Sequence, residues 1–141
     1  MSEYVVDTCI LVKANHSEPK EAFPFLELLI RISSEHGMCL DTEREILKEY
    51  GENVYKGFSG EWFKNMQRAG KIRYVKKTIR RNQRQDLIKL KFDPNDIKFV
   101  ATAYVCGKKI VSDDSDYNNT VTAYLLEKMG IRVFQVNSSL F

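Results

Sequence analysis

Lys109-Ile110-Val111-Ser112-Asp113-Asp114-Ser115-Asp116 is the stretch on which the reading of this chain turns. A short apolar run passes directly into a group of carboxylates, as a buried strand does when its carboxyl end opens onto a polar crevice. The N-terminus repeats the pattern, with Tyr4-Val5-Val6 leading into Asp7 and the apolar run from Cys9 to Val12 following it. If the two strands are parallel neighbours their acids meet at one edge of the sheet, because parallel strands point all their carboxyl ends the same way.

Outward from these strands the apolar spacing alternates between helix and strand. Phe25, Leu28, Leu29 and Ile32 recur at helical intervals across 21–34, with Gly37 as the stop, and 38–40 predicts a short strand. Asp41 or Thr42 is the expected cap of the next helix, whose apolar side carries Ile46, Leu47 and Tyr50. A helix over 59–69, capped by Ser59, packs through Trp62, Phe63 and Met66; a strand follows at 72–75 and a basic helix at 79–90. Phe92-Asp93-Pro94-Asn95-Asp96 is a helix start, with Asp93 suited to the cap and Pro94 to the first turn. Phe99, Val100, Ala103 and Tyr104 continue that helix to Gly107; a strand at 109–112, a helix at 120–129 and a strand at 131–136 complete the chain.

Strands alternating with helices of this size predict an α/β fold, a three-layer α/β/α sandwich around a mostly parallel sheet. A chain of 141 residues with 43% hydrophobic and 29% charged residues suits one domain over 1–141, and excludes disordered and low-complexity classes. No run of apolar residues is long enough for a membrane span and the N-terminus lacks a secretory pattern, so the cytoplasm is the expected compartment. Cys9, Cys39 and Cys106 show no paired Cys-x-x-Cys spacing; reduced, mostly buried thiols are expected rather than a disulfide framework or structural zinc.

The net charge of +3 conceals a segregation. Residues 64–91 hold eleven Lys or Arg against the single acid Asp86, so the remainder of the chain is net acidic. An acidic body joined to one basic segment, the helical part of the chain around 59–91, suits a polyanionic partner. Arg80, Arg81 and Arg84 are its candidate phosphate contacts, and Trp62, Phe63 and Tyr74 lie among the cations where bases could stack.

Asp96 opens the helix before the second acidic strand, and Glu49 lies on the helix after 38–40, with Glu45 one turn away on nearly the same face. Carboxylates crowded at one strand edge repel one another unless cations lie between them. Hard oxygen donors select Mg2+ or Mn2+, which can hold a phosphate and activate water without a histidine. Only His16 and His36 are present, both expected at surface or helix-terminal positions.

Four segments carry a family resemblance: Val5-Val6-Asp7-Thr8, Ile46-Leu47-Lys48-Glu49-Tyr50, Asp96-Ile97-Lys98-Phe99-Val100-Ala101-Thr102-Ala103 and Ile110-Val111-Ser112-Asp113-Asp114-Ser115-Asp116-Tyr117. In this order and separation the chain resembles the PIN domain, the small nuclease fold of VapC-type ribonuclease toxins and of several RNA-processing proteins. The resemblance implies an acidic quartet of Asp7, Glu49, Asp96 and Asp114, with Asp116 as a further metal-binding acid and Thr8 and Ser112 as auxiliary hydroxyls. It also implies metal-dependent hydrolysis of RNA to a 5′-phosphate and a 3′-hydroxyl, and, for toxin-like members, a cognate antitoxin and pairing as a homodimer. The run between Glu49 and Asp96 is longer and more basic than in the compact toxin-like members.

Other readings meet specific obstacles. A haloacid-dehalogenase-like phosphatase needs a second Asp two residues after the first, where this chain has Cys9. A calcium loop starting at Asp114 has Asn119 at its glycine position and Leu125 at its bidentate acid position, and no glycine-rich segment leads into Gly-Lys-Ser/Thr. A catalytically inactive RNA-binding or protein-interaction domain of the same fold is the non-enzymatic alternative.

Overall fold

Near-continuous apolar character buries the central strands of this chain on both faces, while the two edge strands stay partly exposed. The computed structural model describes residues 2–54 and 56–136. In it, β1 (Glu3–Val6), β2 (Gly37–Asp41), β3 (Ile72–Val75), β4 (Lys109–Val111) and β5 (Arg132–Phe134) form a five-stranded sheet in the order β3-β2-β1-β4-β5. Every neighbouring pair is parallel. Helices α1 (Thr8–Ala14), α2 (Pro19–Glu35), α3 (Glu45–Asn53), α4 (Gly57–Arg68), α5 (Arg81–Lys89), α6 (Ile97–Val105) and α7 (Asn119–Tyr124) flank it, giving the three-layer α/β/α sandwich expected. Among the described residues no helix is long and apolar enough to cross a membrane.

The strand order decides where a site can form. The chain winds outward from β1 to β2 and β3, then returns to lay β4 and β5 on the other side of β1. Connections leaving adjacent strands in opposite directions part above the sheet, and the gap lies at the carboxyl ends. Val6 pairs with Val111 in register, so Asp7 and Ser112 emerge side by side, and the Asp7 N–H donates to the Val111 carbonyl at 2.9 Å. The core beneath is apolar, with Val5, Val6, Ile110, Val111, Phe99 and Val100 all fully buried.

Long-range contacts moved several boundaries. The run after Asp7 is helix α1, which buries Thr8, Ile10, Leu11 and Ala14. Helix α4 begins at Gly57, not at Ser59; Ser59 is buried inside it and donates to the Leu11 carbonyl at 2.6 Å. Its capping acceptor comes from outside the helix: Asn15 Oδ1 takes the Ser59 N–H at 2.9 Å, while Asn15 Nδ2 donates to the Lys56 carbonyl at 2.8 Å. Gly57, at φ 76°, leaves the space that Asn15 fills, since a Cβ there would lie 2.9 Å from Asn15 Oδ1. The basic helix is shorter than the spacing predicts. Its first turn carries cations and no acid, an unfavourable end for the helix dipole, and the Gln83 side chain accepts from the Arg80 N–H at 3.0 Å. The last helix changes to a wider π-type turn at Leu125–Met129 before Gly130.

The cap position of α3 falls on Arg44, at φ 65°, rather than on Asp41 or Thr42, and Asp41 serves the helix start from upstream. Its Oδ2 and Oδ1 accept the N–H groups of Glu45 and Ile46, each at 3.0 Å, and Lys77 adds an ion pair at 3.0 Å. Burial alone would raise the Asp41 pKa, but these donors outweigh it and hold the carboxyl below its ordinary value.

The cysteines correct the expectation of reduced thiols. Cys39 on β2 and Cys106 at the end of α6 form a disulfide, with Cα atoms 6.3 Å apart, and only Cys9 is free. Their separation of 67 residues has no spacing signature; packing of α6 over β2 brings them together.

Candidate metal centre and adjoining cleft

Asp7 ends β1 at 4% exposure, in a position that could cap α1, yet its carboxylate makes no capping bond. It is held sideways instead. Ser112 Oγ donates to Asp7 Oδ2 at 2.6 Å and accepts the Asp114 N–H at 3.0 Å. Asp114 Oδ1 accepts the Asp116 N–H at 2.9 Å, and Asp116 Oδ2 accepts the Asp93 N–H at 3.4 Å. Asp93 Oδ1 in turn takes the Asn95 N–H at 2.9 Å, capping the 3-10 turn Pro94–Asp96 that leads into α6. One run of bonds, side chain to side chain between Ser112 and Asp7 and side chain to backbone beyond, thus links the β1 and β4 ends to the residues around Asp96.

Glu49 reaches the same crevice from α3. The Tyr50 hydroxyl donates to the Val6 carbonyl, tying α3 to the end of β1, and the Thr8 hydroxyl donates to Glu49 Oε2. Lys98 of α6 pairs with Glu49 Oε1 at 2.8 Å. Glu45 points elsewhere, pairing with Lys77 beside Asp41 and Glu43. Of the two acids that helical spacing left open, only Glu49 therefore stands among the strand-end acids.

Electrostatics report the crowding. Burial is the largest cause raising the Asp96 pKa to about 7, followed by the negative charges of Asp7, Asp93, Asp114 and Glu49. Asp7 is also raised, mainly by burial; hydrogen bonds from Ser112 and Cys9 oppose that, and the charges of Asp114 and Glu49 add to it. The four expected acids therefore share one field. Among the described residues the one carboxylate trio in which each acid can offer an oxygen within 4.8 Å of the others is Asp93, Asp96 and Asp116; the expected ligands Asp7, Glu49 and Asp114 belong to no such group. Asp93 was expected as a helix cap, and it caps the turn while also standing in this trio; its spacing of three from Asp96 across a helix start is the signal that places both acids on one turn.

Other groups near the acids have narrower options. The Cys9 thiol is pushed up to about 12, first by burial and then by Asp7, so it is no thiolate nucleophile at neutral pH. Asp113 is engaged by Lys13 at 2.8 Å. The Tyr117 ring stacks edge-on against Phe92 with centroids 5.2 Å apart. Its hydroxyl is buried without a hydrogen-bond partner, in the field of Asp7, Asp96 and Asp114. A buried hydroxyl left unpaired costs about 1–3 kcal/mol, so this atom is poised for a partner that the protein itself does not supply.

Beside the acids lies a cleft of about 610 Å³, lined in part by Lys48, Lys77, Arg84, Lys98, Ile79 and Ile97. Of the three arginines expected to contact substrate, Arg84 lines it, whereas Arg80 and Arg81 are exposed outside its lining. Trp62 is buried with Nε1 donating to the Leu29 carbonyl at 2.8 Å, and Phe63 packs on Tyr50, so both serve the core; Tyr74 is 45% exposed. His36 ends α2, and exposed His16 accepts the Glu18 N–H at 3.0 Å. No family model and no curated protein matches this sequence.

Proposed function

We propose that this chain is a PIN-like, divalent-metal-dependent ribonuclease. One observation carries the reading: the ends of β1 and β4 and the turn before α6 are joined by hydrogen bonds through Asp7, Ser112, Asp114, Asp116 and Asp93, which gathers carboxylates from separate parts of the chain at one crevice. Such crowding costs stability and is relieved by a cation. The donor set fits Mg2+ or Mn2+, being carboxylates with hydroxyls and no available thiolate or imidazole, and the unpartnered Tyr117 hydroxyl suits a water of a hydrated ion.

Asp96 and Asp116, with Asp93 beside them, stand close enough to share one ion, and Asp7, Asp114 and Glu49 would complete its acidic surroundings. When bound, Mg2+ or Mn2+ supplies positive charge at the phosphate oxygens and lowers the pKa of an attacking water. The protein's own groups fix the arrangement. Ser112 holds the Asp7 carboxylate through its 2.6 Å bond, and Thr8 and Lys98 hold the two oxygens of Glu49. Asp96, with its pKa near neutrality, gives up its proton most readily to a cation above that pH. RNA as substrate follows from the segregated basic segment and from the resemblance, and hydrolysis would leave a 5′-phosphate and a 3′-hydroxyl.

The test is Mn2+-dependent cleavage of labelled single-stranded RNA by purified wild type and by Asp7→Asn, Asp96→Asn and Asp114→Asn. Each substitution removes ligand charge and little volume, so cleavage should fall at least about 100-fold with unchanged circular dichroism. Wild-type activity in all three refutes the assignment. RNA binding without cleavage by the wild type would instead favour an inactive binding domain.

A further inference from the structure

Besides its acids, the crevice has a basic flank. We propose that the cleft between α3, residues 77–84 and the start of α6 seats a nucleotide flanking the scissile phosphate of single-stranded RNA, with Lys48 and Arg84 on its phosphate; this rests on the nuclease reading. Four cations line the cleft, Lys48, Lys77, Arg84 and Lys98, against the single acid Glu45. Two of them are already engaged. Lys77 is held by Asp41, Glu43 and Glu45, and Lys98 by Glu49 and the Asn95 carbonyl. Lys48 and Arg84 have no ion pair among the described residues, so their charges are available to an anion.

The floor suits a base as well as a phosphate. Ile97 and Ala101, one helical turn apart on α6, and the partly buried Ile79 give the lining an apolar part. A volume of about 610 Å³ exceeds what a free phosphate needs and falls in the range that encloses a nucleotide-sized ligand. The cleft also joins the acids directly. Lys98 bridges to Glu49, and Pro94 and Asn95 in its wall immediately precede Asp96. A strand held by Lys48 and Arg84 would therefore run onto the acidic crevice, where its next phosphate meets the proposed metal ligands. Lys77, Thr78, Ile79 and Arg84 of its wall belong to the long basic run.

The probe is a fluorescein-labelled single-stranded RNA ten-mer, titrated by anisotropy in EDTA at several salt concentrations. Lys48→Glu/Arg84→Glu is compared with Arg80→Glu/Arg81→Glu, which makes the same change of net charge outside the cleft. The cleft pair should raise Kd at least about tenfold and reduce the salt slope by about 0.7, the outside pair should change Kd less than about threefold, and Lys48→Arg/Arg84→Lys should retain binding. Equal effects from the two pairs, or none from either, would overturn the subsite. Parallel Mn2+ assays separate the two failures. A wild type that cleaves RNA while the two pairs bind it alike overturns the cleft alone, and a wild type that never cleaves overturns the nuclease reading beneath it.

Discussion

Replacing Asp96 by Asn should stabilise the metal-free protein at alkaline pH while abolishing its response to divalent cations. Asp96 titrates near 7 in the folded chain against 3.8 for the free side chain. Below the lower value both states hold the proton and no difference arises. As pH rises between the two, the unfolded chain releases its proton while the folded chain keeps it, so folded stability falls, and above about 7 the loss is complete. The full gap would correspond to about 4 kcal/mol. Asp96 is only half-buried, and solvent screening reduces the figure to about 1–2 kcal/mol. In a chain of this size that is roughly 4–8 °C in Tm.

The assay is thermal unfolding in EDTA at about pH 4.5 and about pH 8, for wild type and Asp96→Asn, taking the difference of differences so that other titrating groups cancel. Asp96→Asn should gain those degrees relative to wild type at the higher pH and little at the lower. Added Mn2+ should raise the wild-type Tm most at the higher pH, where no proton competes, and leave Asp96→Asn unmoved. Identical pH dependence in the two proteins would refute the crowding on which the candidate site depends.

Three further outcomes follow from particular contacts. Glu49→Gln should lower Mn2+-dependent cleavage at least about tenfold while Glu45→Gln leaves it near wild type, because only Glu49 meets Thr8 and Lys98 at the crevice; equal losses would contradict that placement. Asp41→Ala should cost about 2–3 kcal/mol in urea unfolding, since it removes the acceptor of two N–H groups at the start of α3 while Lys77 keeps Glu43 and Glu45, and a loss under about 1 kcal/mol would argue against that role. Thiol titration of the unfolded, unreduced protein should find one reactive cysteine, Cys9, and reduction of the Cys39–Cys106 bridge, which spans 67 residues, should cost up to about 4 kcal/mol; three free thiols would exclude the bridge.

Sequence by itself determined the alternation of strands and helices, the parallel sheet, and the acids at the ends of β1 and β4. Those features follow from interactions spanning a few residues: apolar runs too short for helices, and the Asp93-Pro94 start of the turn before α6. Tertiary structure decided whatever depended on distant segments meeting. Helical spacing could not separate Glu49 from Glu45, because both share a face of α3; the Tyr50 bond to Val6 and the Lys77 cluster did so. Nor could spacing find the Asn15 cap on α4, the Cys39–Cys106 bridge, or the division of the arginines that left Arg84 in the cleft and Arg80 and Arg81 outside it. Local preferences are written residue by residue along the chain, whereas convergence in space depends on how the layers pack, and packing is a property of all the side chains together.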